Sequence, residues 1–155
     1  MGSDSDLPII KKATDTLKAL EIPFEVHVYS AHRTPDQARD FARSARAKGF
    51  GAIIAAAGMA AHLAGAIAAN TTLPVIGIPC SSAVLDGIDA LLATVQMPSG
   101  IPVATVAVNG GVNAALLCAQ ILAVEDTELA QKLDDKRRKD AAAVLEKDAG
   151  IADRL

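Results

Sequence analysis

Aromatic residues are scarce in this chain. Its 155 residues include three Phe, one Tyr and no Trp, so aromatics make up 3% of the sequence. Proteins that bind single-stranded nucleic acid usually stack bases on aromatic side chains. The formal net charge of -3 also provides no positive field that would attract a polyanion. The composition therefore argues against a nucleic-acid partner.

Cysteines and long apolar runs are scarce as well. Cys80 and Cys118 are the two cysteines, and their spacing fits neither a metal site nor a disulfide framework. We expect both to be buried free thiols, as is usual in the cytoplasm. No apolar run reaches the roughly 20 residues of a membrane-spanning helix, and the N-terminus lacks a signal-peptide pattern. These absences predict a soluble cytoplasmic protein with no membrane partner.

Short apolar segments alternate with helical ones along the chain. Strands are predicted at about 24–29, 51–56, 74–78 and 103–108, and segments with helical spacing or helix-start signals lie between and after them. The strands are apolar along their whole length, which is typical of a parallel sheet covered on both faces. The order predicts one α/β domain over residues 1–155, with a three-layer, doubly wound parallel sheet.

The start of the chain has an unusual pattern for such a fold. Residues 1–6 (MGSDSD) resemble the loop that follows a strand, and Pro8 marks the first turn of a helix. No strand precedes this loop in the sequence. We therefore expect the first strand of the sheet to lie upstream of Met1, and the alternative is a sheet with one strand fewer.

This first loop, residues 2–6, is a candidate anion site. Glycine allows close backbone approach, and a helix N-terminus offers free N–H groups. Ser3 can donate to a phosphate, and Asp6 can accept from ribose hydroxyls. The alternative is a plain capping loop, because Ser and Asp are the ordinary capping residues.

The second candidate loop is Ser30-Ala31-His32-Arg33-Thr34-Pro35, which follows the strand predicted at 24–29. Ligands of open α/β sheets bind in the loops at the carboxyl ends of strands. The imidazole of His32 can transfer protons near neutral pH, and the guanidinium of Arg33 has the forked donors that suit phosphate. The alternative is a surface loop that caps the next helix. His27, inside the predicted strand, is interpreted as structural.

The third candidate loop is the run of small residues from Ala55 to Leu63. Small side chains at a strand-to-helix turn let backbone amides approach a ligand, and His62 lies near the start of the helix. The alternative is tight packing of the helix on the sheet. Such packing explains the alanines, but it does not explain the order Gly-Met-Ala-Ala-His.

Several motifs occur together in a fixed order: MGSDSD, SAHRTP, GMAAHLAG, LPVIGIP, VQMPSGIPVATVAV and NAALLCAQIL. From Met1 to about Leu145 the chain closely resembles the catalytic subunit family of phosphoribosylaminoimidazole carboxylase. SAHRTP with AAHL resembles the class I form, N5-carboxyaminoimidazole ribonucleotide mutase of purine biosynthesis. The resemblance implies a flavodoxin-like fold and a reaction that uses neither a metal nor an organic cofactor.

The resemblance also implies a reaction and its residues. The enzyme moves a carboxylate from the exocyclic nitrogen of the ribonucleotide to a ring carbon, through carbon dioxide held in the pocket. His32 matches the histidine that handles the proton, Ser3 and Arg33 match phosphate-binding positions, and Asp6 matches the ribose-binding position. The remaining matches, to secondary contacts and a second active-site histidine, are Ser30, Ala57, Gly58, Leu63 and His62.

Two positions depart from the family pattern Gly-Gly-Ala-Ala-His-Leu-Pro-Gly. Met59 replaces the second glycine and Ala64 replaces the proline. We expect Met59 to narrow the carbon dioxide pocket or to shift the loop. His32 and Arg33 are unaffected by these changes.

The resemblance implies partners and leaves two alternative functions open. The family forms octamers, so we expect the helix at about 127–147 to contact neighbouring subunits, or otherwise to pack on its own domain. A functional link to the ATP-dependent carboxylating enzyme that supplies the substrate is also expected. One alternative is a class II carboxylase of aminoimidazole ribonucleotide that uses free carbon dioxide. The other is a non-catalytic nucleotide-binding module, since fold alone does not establish function.

Overall fold

A parallel sheet forms the centre of the computed structural model, which describes residues 1–152. Its three strands within that range are β1 (Ile53–Gly58), β2 (Val75–Cys80) and β3 (Ala104–Thr105), in the order β1-β2-β3. The register of β1 on β2 runs from Ile53 opposite Val75 to Gly58 opposite Cys80. The predicted domain also includes residues 153–155, which lie outside the described residues.

Helices cover both faces of this sheet. They are α1 (Leu7–Ala19), α2 (Pro35–Ala45), α3 (Leu63–Ala68), α4 (Ile88–Val95), α5 (Gly111–Leu122) and α6 (Thr127–Ala149). A search of the described residues finds no helix with the length and apolarity needed to cross a membrane.

The side chains of β1 point alternately to two helical layers. Ile53 and Ala55 pack with α2 and α3, whereas Ala56 packs with α1 and α5 on the other face. Every residue of β2 is buried. A strand that is apolar on both faces is what a covered parallel sheet requires, so the predicted three-layer α/β fold is confirmed.

Small residues bring the helices close to each other and to the sheet. The interface of α1 with α5 includes Ala13 and Ala115, both buried. At the first residue of α5, a Cβ on Gly111 would overlap the carbonyl oxygen of Ile9 in α1. The alanine-rich composition thus sets a short distance between α1 and α5, and α1 directly follows the first candidate loop.

The strand predicted at about 24–29 is absent from the structure, and that prediction was wrong. The segment is extended but forms no ladder, because among residues 1–152 only those at the start of the chain pair with it. The Met1 ammonium donates to the carbonyl of His27 at 2.9 Å, and the amide of Tyr29 donates to the carbonyl of Met1 at 2.9 Å. On the other side, the amide of Gly2 donates to the carbonyl of Ala56 in β1 at 2.9 Å.

An apolar cavity of about 330 Å³ lies between this extended segment and β1. Its walls include Phe24, Tyr29, Ile53 and Cys118, and Met1 lies at its edge. Burial lowers the pKa of the Met1 ammonium, since desolvation disfavours the charged form. Met1 and Gly2 therefore connect the 24–29 segment to the sheet across a gap in the packing.

Candidate active site

The three loops singled out in the sequence meet at the carboxyl end of the sheet. They surround a cavity of about 420 Å³. All nine predicted site residues line it: Ser3, Asp6, Ser30, His32, Arg33, Ala57, Gly58, His62 and Leu63. The loops converge because β1 ends at this edge of the sheet, and Met1 and Gly2 hold the other two loops beside it.

The first loop folds as a capping box. The hydroxyl oxygen of Ser3 accepts from the amide of Ser5 at 3.3 Å, and the Asp6 carboxylate accepts from the amide of Ser3 at 3.3 Å. The capping interpretation is therefore confirmed as local structure. It does not exclude a ligand, because Ser3 and Asp6 also line the cavity.

Asp6 is a buried carboxyl group, only 8% exposed. Desolvation raises its pKa, although the Ser3 amide and the Met1 ammonium oppose this shift. The thiol of Cys80 lies beside it, and burial together with the Asp6 charge raises the pKa of Cys80 to about 12. Burial raises the pKa of the second free thiol, Cys118, to about 11. Both thiols therefore stay protonated at neutral pH and are poor nucleophiles.

The second loop is a tight turn that exposes two functional side chains. The carbonyl of Ser30 accepts from the amide of Thr34 at 2.9 Å, and the hydroxyl of Ser30 accepts from the amide of Arg33 at 3.2 Å. Ser30 thus shapes the turn with its own side chain. His32 and Arg33 are left exposed on the cavity side.

The third loop leaves β1 where the backbone is crowded. A Cβ on Gly58 would lie 3.2 Å from the carbonyl oxygen of Cys80, which is tighter than ordinary contact. Met59 follows with a left-handed φ of 52° and is 65% exposed. Its carbonyl accepts from the amide of Ala61 at 2.9 Å, and the carbonyl of Ala60 accepts from the amide of His62 at 2.8 Å. These bonds turn the chain so that His62 faces the second loop.

The imidazoles of His32 and His62 form a hydrogen-bonded pair. His32 Nε2 lies 2.8 Å from His62 Nδ1, and the two rings meet edge-to-face with centroids 5.0 Å apart. Within residues 1–152, no group of three or more His, Cys, Asp or Glu side chains is placed to hold a metal ion. By contrast, His27 lies outside the cavity, where it stacks on Tyr29 and contacts Glu25.

The sequence interpretation missed the loop that follows β2. Ser81 and Ser82 line the cavity beside the predicted residues. The side-chain oxygen of Asn109 accepts from the Ser81 amide at 3.0 Å, and its nitrogen donates to the Ser81 hydroxyl at 2.9 Å. These serines directly follow β2, so the rule that ligands bind at the carboxyl ends of strands could have identified them.

Comparison with known sequences adds independent information. The family model for AIR carboxylase matches residues 1–143. An N5-carboxyaminoimidazole ribonucleotide mutase from Bacillus subtilis is 53% identical over 148 residues, which cover 94% of this chain and 91% of the relative. The mutase of the same name from Escherichia coli K12 is 52% identical over 148 residues, covering 94% of this chain and 88% of the relative.

A solved structure shows the same fold. The crystal structure of Treponema denticola PurE superposes with a TM-score of 0.88 at 29% identity, covering 96% of this chain and 93% of that one. The matched residues include all three loops of the cavity, since the family model begins at Met1 and extends beyond α5. This chain belongs to the AIR carboxylase family.

Proposed function

We propose that this protein is a mutase of purine biosynthesis, an isomerase. It converts N5-carboxyaminoimidazole ribonucleotide to 4-carboxy-5-aminoimidazole ribonucleotide. The relatives that are about half identical over most of the chain carry the mutase name. The observation that carries the proposal is the convergence of all nine predicted site residues on one cavity of about 420 Å³.

The arrangement supports a division of the cavity into three parts. Arg33 and Ser3 form the phosphate end, because a guanidinium fork and a hydroxyl are natural phosphate donors. Asp6 accepts hydrogen bonds from the ribose hydroxyls. Ala57 and Gly58 face the base, where small side chains leave room for carbon dioxide next to the ring.

The chemistry needs one proton carrier and a restricted space. When the carbamate C–N bond breaks, its electron pair stays on the exocyclic nitrogen, which takes up a proton from the imidazolium form of His32. The ring carbon then forms a bond to the trapped carbon dioxide, and its own proton leaves to His32. The two proton transfers balance, so an imidazole that gives and takes one proton is sufficient. Keeping carbon dioxide close to the ring carbon is catalysis by proximity.

Replacement of the proton carrier tests this proposal. In His32→Asn, ribonucleotide binding should persist while turnover falls by about 100-fold or more, the usual contribution of general acid–base catalysis. Calorimetric binding and a product assay on the same samples separate the two effects. Unchanged product formation would refute the role of His32. Assays with both ribonucleotides, with and without bicarbonate, distinguish the mutase from a carboxylase that uses free carbon dioxide.

A pair of arginine variants tests the phosphate end. Arg33 lines the cavity, whereas Arg39 on α2 pairs with Asp36 and Asp40 outside it. Arg33→Met should weaken ribonucleotide binding by about 10- to 100-fold, the usual effect of losing a charged hydrogen bond. Arg39→Met should bind normally. Equal affinities for the two variants would contradict the assignment of Arg33.

Assembly and cellular context form a further part of the proposal. Leu129 of α6 is buried on its own domain, but Val144 and Leu145 are 63% and 69% exposed. These exposed side chains are available to a neighbouring subunit, which supports the octamer that the family resemblance implies. A light-scattering mass near that of a monomer would rule the octamer out. The two free thiols also suit the reducing cytoplasm, where an ATP-dependent carboxylating enzyme would supply the substrate.

A further inference from the structure

The hydrogen bond between His32 and His62 connects two loops that are 30 residues apart. It joins Nε2 of His32 to Nδ1 of His62 at 2.8 Å. Both side chains are exposed to the cavity. Because this bond uses one nitrogen of each ring, only the other nitrogen of each ring is available to a ligand.

The bond leaves one nitrogen of His32 free. Each imidazole has two ring nitrogens, and in the neutral form one carries a proton while the other is an acceptor. Nε2 of His32 is occupied by His62, and Nδ1 of His32 forms no hydrogen bond to any residue between 1 and 152. A proton exchanged with the substrate must therefore use Nδ1.

We propose that His62 is a positioning residue for His32. His62 Nδ1 accepts the proton of His32 Nε2, which holds His32 in the tautomer whose Nδ1 has a free lone pair. Once Nδ1 of His32 has given its proton to the exocyclic nitrogen, that lone pair receives the proton of the ring carbon, and the same hydrogen bond stabilises the imidazolium before the first transfer and after the second. The inference rests on the proposed function, because it assigns the tautomer of the histidine that moves the proton.

The backbone around His62 supports a fixed position for its ring. The hydrogen bonds from Ala61 to Met59 and from His62 to Ala60 form two successive tight turns. Met59 keeps a left-handed φ of 52° within them, a conformation that is unfavourable for a residue with a side chain. A loop held in this way keeps Nδ1 of His62 close to His32.

Three substitutions of His62 separate the possible roles of its two nitrogens. Asn places a polar atom near the position of Nδ1, Gln places one near Nε2, and Leu removes both. We expect His62→Leu and His62→Gln to lose about 10- to 100-fold in kcat with KM changed less than about threefold, a smaller loss than the roughly 100- to 10,000-fold that removal of the proton carrier itself causes. His62→Asn should recover most of that loss. If Gln rescues better than Asn, or if Leu retains full kcat, the inference is overturned.

Nitrogen NMR of the histidine rings gives a second readout. The chain has only three histidines, and His27 lies outside the cavity and serves as an internal reference. The wild-type spectrum should show His32 as the Nε2–H tautomer. In His62→Leu, the nitrogen chemical shifts of the His32 ring should change to those of a mixture of the two tautomers. An unchanged His32 tautomer would overturn the inference whatever the kinetics show.

The His32→Asn assay separates this inference from the proposed function. If His32→Asn loses turnover and the His62 variants behave as described, both proposals stand. If His32→Asn loses turnover while His62→Leu keeps it, only the role of His62 fails. If His32→Asn keeps turnover, the proton role of His32 fails, and with it the inference about His62.

Discussion

The close contact between α1 and α5 is testable with a single methyl group. Gly111 is the first residue of α5, and a Cβ there would overlap the carbonyl oxygen of Ile9 and lie 3.3 Å from its carbonyl carbon. The obstacle is backbone in the first turns of α1, with the Ala13 nitrogen also at 3.4 Å. Gly111→Ala can therefore be accommodated only if the two helices separate.

Overpacking of this kind costs about 1–3 kcal/mol. For a domain of this size each kcal/mol lowers Tm by about 2–4 °C, so we expect a loss of about 2–12 °C. The separation should also affect the site, because α1 begins directly after Asp6. The KM for the ribonucleotide should rise more than kcat falls, since the first loop binds the substrate and His32 moves the proton.

Gly65→Ala is the matched control. Gly65 lies inside α3, and its added Cβ would meet the Met97 sulfur at 3.0 Å and the Met97 methyl at 3.2 Å. The end of a methionine side chain can move, and Ala favours a helix over Gly by about 1 kcal/mol. Gly65→Ala should therefore melt at or above the wild-type temperature. Equal melting of both variants in calorimetry would refute the reasoning that backbone contact sets the cost.

Three further predictions concern the residues around the cavity. Desolvation raises the pKa of Asp6 in the folded state, so ionisation of this carboxyl destabilises the fold progressively as the pH rises above the pKa of an unfolded Asp, and the penalty is complete above the folded pKa. Asp6→Asn should therefore raise Tm at pH 7, and the gain should vanish as the pH falls below about 3.9, the pKa of an unfolded Asp; a gain that persists in acid would contradict this. Met59→Gly should relieve the left-handed backbone strain and raise Tm by a few degrees. If Met59 also narrows the pocket, the variant should release more free aminoimidazole ribonucleotide per turnover, and an unchanged ratio would reject that role. Apolar residues added before Met1 should raise Tm by filling the 330 Å³ cavity and replacing the buried ammonium; equal melting of the two chains would reject this.

The site was more predictable from the sequence than parts of the sheet were. In a parallel sheet every strand carries its following loop to the same edge. The apolar run before Ala57 therefore places the third candidate loop at the edge where the loops of the other strands lie. The position of Gly58 in the cavity follows from this rule. His32 follows an extended segment that is not a strand, and it reaches the cavity because Met1 and Gly2 connect that segment to β1. The rule does not depend on the exact length of a strand, so the loop after β1 lies at this edge although β1 spans Ile53–Gly58 and not the predicted 51–56.

The errors in the strands have a different cause. The run from 24 to 29 has the pattern of a strand, but a strand also needs a neighbour along its length. In the part of the chain that the structure describes, only Met1 pairs with this run. At the other edge, β3 is limited to Ala104–Thr105, although 103–108 was predicted. The chain beyond it still bonds to β2, with the Val106 amide donating to the Gly77 carbonyl at 3.1 Å. The neighbour of a strand lies far from it in the sequence, so the local pattern of residues does not reveal whether that neighbour exists.

The contact between His32 and His62 also lay beyond local sequence pattern. Its 2.8 Å separation depends on the turn at Met59, whose backbone is left-handed although the residue is not glycine. It also depends on the register of β1 on β2, since Gly58 opposite Cys80 sets the point at which the third loop leaves the sheet. A shift of one residue in that register would move His62 by more than 3 Å, the rise per residue of a strand, and would break the bond. The proposed chemistry therefore depends on the pairing of β1 with β2, because that pairing places the third loop next to the second.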